Sequence, residues 1–163
     1  MRARWTTLAL LPLVALATLP AGCGGGAQRG EGAPVACTEG KETILDALRG
    51  APGEVLLAGE TPISGCLVAG SEEGELADFG EAALFAATQL NNEGRARPLG
   101  PAPVEVGYLL GALTRGSADT EGVHAELVRR LTVAATFAPR GELLSGQFRS
   151  QYRKGFRAGR SHG

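Results

Sequence analysis

Residues 104–113 read VEVGYLLGAL, and Glu105 is the only charged side chain among them. A run that is apolar around its whole circumference needs neighbours on most sides, so it predicts a central helix, and the fold is worked outward from it. Gly107 and Gly111 lie four residues apart within it, a spacing that in a soluble bundle lets another helix approach closely. The membrane-dimer reading of that spacing needs an apolar span of about twenty residues around it, and the sequence has none there.

On the N-terminal side, residues 95–103 (RARPLGPAP) form a proline-rich connection. Before it, from Ser71, Leu76, Phe79, Ala83, Leu84, Ala87 and Leu90 recur at steps of three and four, which predicts a helix with one apolar stripe, stopped by Asn91, Asn92 and Gly94. Earlier still, Thr38 is a suitable N-cap for a helix carrying Ile44, Leu45 and Leu48, ending near Arg49 before Gly50 and Pro52. Glu54–Leu57 is apolar but short for a strand, and Thr61-Pro62 predicts a short helical turn that carries Cys66 and Leu67 inward.

On the C-terminal side, a polar loop over 115–120 leads to a helix from about Glu121 to Ala138, with Val123, Leu127, Leu131 and Ala134 facing inward and Pro139 closing it. The last helix has Leu144, Phe148, Tyr152 and Phe156 at four-residue spacing, with Arg149, Arg153, Lys154, Arg157 and Arg160 on its other faces. No two-residue alternation and no repeat of twenty to fifty residues is visible. The expectation is all-α: an irregular bundle of four or five helices over residues 37–158, with one disulfide and a disordered tail at 159–163.

Composition supports a single domain. The chain has 163 residues, 44% of them hydrophobic and 20% charged, which argues against long disorder, collagen or a disulfide-dense mini-protein. A formal net charge of −1 excludes a globally basic nucleic-acid binder, so no nucleic-acid partner is expected. The charge is uneven along the chain: residues 23–128 hold 16 acids and six bases, and residues 129–163 hold eight bases with Glu142 as the sole acid.

The first residues have a separate purpose. Arg2 and Arg4 precede an uncharged run from Trp5 to Leu19, the layout of a secretory signal peptide. As a permanent anchor, that run would extend about 22 Å, short of the roughly 30 Å hydrocarbon core. The residues Ala21-Gly22-Cys23 resemble the lipobox of bacterial lipoproteins, in which the cysteine receives a diacylglyceryl group and cleavage occurs just before it. Pro20 stands where such proteins usually carry leucine, with Leu19 one step further back. A rival site, Ala15-Leu16-Ala17, fits ordinary signal peptidase and would release a soluble chain. The lipobox reading divides the chain into a signal peptide (1–22), a lipidated cysteine with a Gly-rich tether (23–36) and the helical domain. The tether, with five glycines and a proline in residues 24–36, has a reach of about 20 Å. The implied partner is the membrane, through lipid on Cys23, on the extracytoplasmic face; an envelope protein is a second.

Cysteine parity agrees with that division. An exported chain with three cysteines leaves one without an intramolecular partner, and lipidation of Cys23 leaves Cys37 to pair with Cys66. The bond would close a loop of about thirty residues and stabilise the fold by roughly 3 to 4 kcal/mol in the chain-entropy account. The alternative is two buried free thiols.

The search for chemistry yields no enzyme signature. Glu121 and His124 imitate half of a di-iron site, but no second Glu-x-x-His is present, and one domain histidine cannot assemble zinc. No G-x-S-x-G or G-x-x-x-x-G-K occurs, and Asp78-Phe79-Gly80 lacks every other kinase element. No metal or cofactor is expected. The acids Glu72, Glu73, Glu75 and Asp78 suit a helix N-terminus, where the dipole favours them. Arg115, Asp119 and His124 around one polar turn are the candidates for a ligand-binding or enzyme site, with Asp119 or Thr120 otherwise an N-cap. On the last helix, the aromatic stripe completes the core and the basic face offsets the acidic remainder. The competing reading places Phe148, Arg149, Tyr152, Arg153, Phe156 and Arg157 at a membrane surface.

Two segments, GYLLGALTRG at 107–116 and GVHAELVRRL at 122–131, resemble those of small, uncharacterised lipoproteins of high-GC actinobacteria. With the leader and Cys37, the resemblance extends over most of the mature chain. It implies an envelope location and no catalytic residue.

Overall fold

A computed structural model describes residues 32–118, 120 and 124–163. The predicted leader, Cys23, most of the tether, Asp119 and residues 121–123 lie outside the described residues. Five α-helices make up most of what is described: α1 (Lys41–Leu48), α2 (Glu73–Ala96), α3 (Ala102–Ala118), α4 (Ala125–Thr136) and α5 (Gly146–His162). The fold is all-α, as expected, with a two-residue antiparallel ladder of β1 (Leu56–Leu57) and β2 (Thr61–Pro62) as its only described strands.

The stretch over 104–113 is the centre of the molecule. Every residue from Ala102 to Leu113 is buried, including Glu105, whose carboxyl is pushed up by burial and by Glu93, against an opposing pull from Arg49. Phe79, Ala83, Ala86, Ala87 and Leu90 of α2 close one side of α3, Leu131 and Ala135 of α4 a second, and Phe148 of α5 a third. Ile44 and Leu48 of α1 join the same core.

Cys37 and Cys66 form a disulfide with a Cα–Cα distance of 5.6 Å, joining the 3-10 turns Val35–Thr38 and Ile63–Cys66. Both cysteines are buried, as is Leu67, so the turn after Thr61-Pro62 carries them inward as predicted. Gly116 of α3 lies against the backbone of Ser64, which ties this braced region to the central helix.

Several boundaries differ from expectation, each for a local reason. Thr38 does not cap α1: its hydroxyl donates to Val35 O (3.0 Å), and the helix starts after Gly40, whose φ of 93° suits glycine. Asn91, Asn92 and Gly94 do not stop α2, which runs to Ala96. Asn91 is buried and donates through Nδ2 to Phe137 O (2.8 Å), so a residue with weak helix preference is held by a partner 46 positions away. The polar loop predicted over 115–120 is mostly helix, because α3 continues to Ala118. The 159–163 tail is helical to His162, and Gly163 N donates to Gly159 O (2.9 Å). Ser145, not anticipated as a cap, starts α5 by accepting from Phe148 N (3.1 Å).

Candidate functional site

The polar turn after α3 uses its hydrogen bonds internally. Thr120 is buried, and its hydroxyl donates to Ser117 O (2.9 Å) at the C-terminal end of α3; α4 begins at Ala125, with His124 and not Thr120 at its N-cap position. His124 is 2% exposed, with Nδ1 3.0 Å from Thr120 Oγ1. Thr120 has one proton and the Ser117 carbonyl takes it, so Nδ1 carries the proton and donates. Burial pushes the His124 pKa down, which keeps the ring neutral at physiological pH. Arg115 is drawn elsewhere: its guanidinium donates to Ser161 O (2.6 Å) near the end of α5. Asp119, the third candidate here, lies outside the described residues. The structure therefore pairs His124 with Thr120 and Arg115 with α5.

The acids at the start of α2 behave as helix-terminal groups. Glu75 accepts from Ala33 N (3.1 Å), which fixes the end of the tether against α2. Among the described residues, no group of three or more His, Cys, Asp or Glu is placed to hold a metal ion.

A groove runs along the seam between α2 and α4, where α4 lies parallel to α2. Its upper part is a cleft of about 580 Å³ lined by Leu76, Gly80, Leu84, Phe85, Leu127 and Arg130 among others. Its lower part, about 320 Å³, shares Leu84 and Arg130 and continues to Val133 and Phe137. Phe85, Val133 and Phe137 are large apolar side chains left 56%, 54% and 56% exposed, with the Lys41 ammonium of α1 5.7 Å from the centre of the Phe85 ring. Sequence reading missed the groove, although Phe85 and Val133 sit off the inward stripes and were the available signal.

Residues on α5 divide between two faces. Phe148 is buried against Gly94 and Pro103, while Tyr152 and Phe156 are half-buried on the core, so the aromatic stripe completes the core as expected; Leu144 packs there too, but from before the N-cap Ser145 and not from within the helix as predicted. The rings of Phe148, Tyr152 and Phe156 stack in succession, with centroids 6.4 and 6.1 Å apart. Burial pushes the Tyr152 hydroxyl up to about 12, so it stays a neutral phenol. Arg149, Arg153, Lys154, Arg157 and Arg160 are all exposed. The expected offset by the acidic remainder is absent from their immediate contacts: among the described residues none of the five has a carboxylate within 4.0 Å. Glu142, the only acid after residue 128, is bound by Arg95 of α2 (2.9 Å).

What seats α5 is a row of glycines that sequence reading recognised on one side only. Gly107 and Gly111 of α3 face the backbone of Tyr152 and Phe156, as the spacing suggested. Gly155 and Gly159 of α5 answer them, lying on the carbonyls of Val104 and Tyr108. The four-residue spacing of Gly155, Gly159 and Gly163 was the missed signal. The chain matches no family model, no curated protein and no solved structure.

Proposed function

We propose that this protein is an envelope lipoprotein: exported, cleaved before Cys23, and held on the extracytoplasmic face of the cell membrane by lipid on that cysteine. The helical domain acts as a non-catalytic interaction module beyond a short Gly-rich tether. The observation that carries the reading is the buried Cys37–Cys66 disulfide. A structural disulfide is at home in an oxidising compartment, which an apolar leader would supply, and it leaves Cys23 as the one cysteine free for modification. The α2–α4 groove, with Phe85, Val133 and Phe137 exposed, is the surface on which an envelope partner would lay an apolar helix face.

Intact-mass analysis of the membrane fraction tests the anchor. The expected product begins at Cys23 with a diacylglyceryl-sized addition, and its remaining two cysteines are oxidised. Cys23→Ser should move the protein out of the membrane fraction. A soluble product beginning at Thr18 would overturn the proposal.

A further inference from the structure

The outward face of α5 carries cations that no carboxylate pairs among the described residues, although Arg149 also donates to Leu144 O (2.6 Å). At ~100° per residue, Arg149, Arg153, Arg157 and Arg160 fall within roughly 80° of one another, one continuous stripe along the helix. Tyr152 and Phe156 border that stripe and are half-buried, so their outer edges sit beside the guanidiniums. At its N-terminal end, Arg149 and Arg153 stand over a cleft of about 250 Å³ lined also by Thr136, Leu144, Phe148 and Tyr152. The recess is almost wholly apolar and its rim is cationic. Glu142 is already engaged by Arg95, and α5 itself has no acid.

We infer that the arginine stripe of α5 docks on a bilayer surface rich in anionic phospholipid. The guanidiniums bind phosphate oxygens, for which their planar forked donors are suited. The recess under Arg149 and Arg153 accepts the apolar glycerol-ester region beneath a headgroup. The aromatic rings do not insert deeply, because Phe148 is spent on the core and Tyr152 and Phe156 are held there along one side. Contact is therefore shallow and chiefly electrostatic, with about 1 kcal/mol per cation near the surface, a factor of about five each. The inference rests on the lipid-anchored reading only for what brings α5 near a membrane, and unlipidated protein tests it separately.

The test is co-sedimentation of the mature chain carrying Cys23→Ala with vesicles of phosphatidylcholine alone or mixed with phosphatidylglycerol. Binding should require the anionic lipid and fall steeply as salt is raised. Combining Arg149→Gln, Arg153→Gln, Arg157→Gln and Arg160→Gln should weaken it by several hundredfold, given a factor of about five per cation. All four side chains are exposed, so helical signal and melting temperature should be retained. As a control for net charge, Lys41→Gln, Arg49→Gln, Arg97→Gln and Arg130→Gln combined, all exposed and off α5, should leave binding within about twofold. Equal binding to both vesicle types, or undiminished binding by the fourfold variant, would overturn the inference. So would equal losses in the control, which would show that charge total and not the stripe matters. If the Cys23→Ala protein binds as expected while the native protein proves unlipidated, docking stands and the anchor falls.

Discussion

Two seams in this domain are built on opposite plans. Between α3 and α5, glycines on both helices bring backbone against backbone, so the interface is closed along its length. Between α2 and α4, Leu84, Leu127 and Arg130 keep the helices apart, and the gap becomes a groove with three large apolar side chains exposed. Small residues let two helices share a continuous contact surface, and large ones hold it open where no third element fills the space. The contrast assigns roles: the closed seam carries stability, and the open one presents surface.

Two phenylalanines give the sharpest test of that contrast. Phe148→Ala, beside the closed seam, should cost roughly 3 to 5 kcal/mol in a denaturant titration, because the side chain is 1% exposed and packs on Gly94 and Pro103. Phe137→Ala, in the groove at 56% exposure, should stay within about 0.5 kcal/mol of the parent. Comparable losses at the two sites would break the comparison.

Glycine substitutions come next in size. A Cβ on Gly155 would collide with the Val104 carbonyl, so Gly155→Ala should destabilise by about 2 to 3 kcal/mol, despite the better helix propensity of alanine. Across the open seam, a Cβ on Gly80 meets only the end of the Leu127 side chain at 3.2 Å, which can swing toward the groove. Gly80→Ala should be near neutral by thermal melting. If both variants melt alike, backbone contact is not what closes the α3–α5 seam.

Acid should loosen the junction between α3 and α4 next. His124 has its pKa lowered by burial, so below the unfolded value of about 6.5 the unfolded chain takes up a proton that the folded one refuses. Stability is then present above that pH and is lost as the pH falls below it, toward the depressed folded value. His124→Gln should reduce this dependence between pH 7 and 5 in melts run across that range; an unchanged slope would remove His124 as its source. The smallest effect is a gain. Gly74 has open space around its Cα near the start of α2, so Gly74→Ala should stabilise by up to about 1 kcal/mol, opposite in sign to Gly155→Ala.

The fold class was legible because apolar periodicity and the all-apolar run at 104–113 depend only on local order along the chain. The Cys37–Cys66 pairing was legible too, since three cysteines allow only three pairings and the expected lipidation of Cys23 removes two of them. The groove was legible only in part: Phe85 and Val133 fall off the inward stripes, but the gap between α2 and α4 depends on how those helices pack. Asn91 could not be read as a helix residue, because its amide is satisfied by Phe137 O, far along the chain. The ligand-site candidates Arg115 and His124 were close in sequence, yet α5 takes one and Thr120 the other.

The sequence by itself determined an all-α fold of four or five amphipathic or apolar helices and the uneven charge, because each follows from residue type and spacing. Only the tertiary structure decided that α3 and α5 meet through glycines from both sides, and that α2 and α4 part into a groove. Those outcomes depend on which surfaces fit together at contact distance, and steric fit between distant segments is a property of the packed chain.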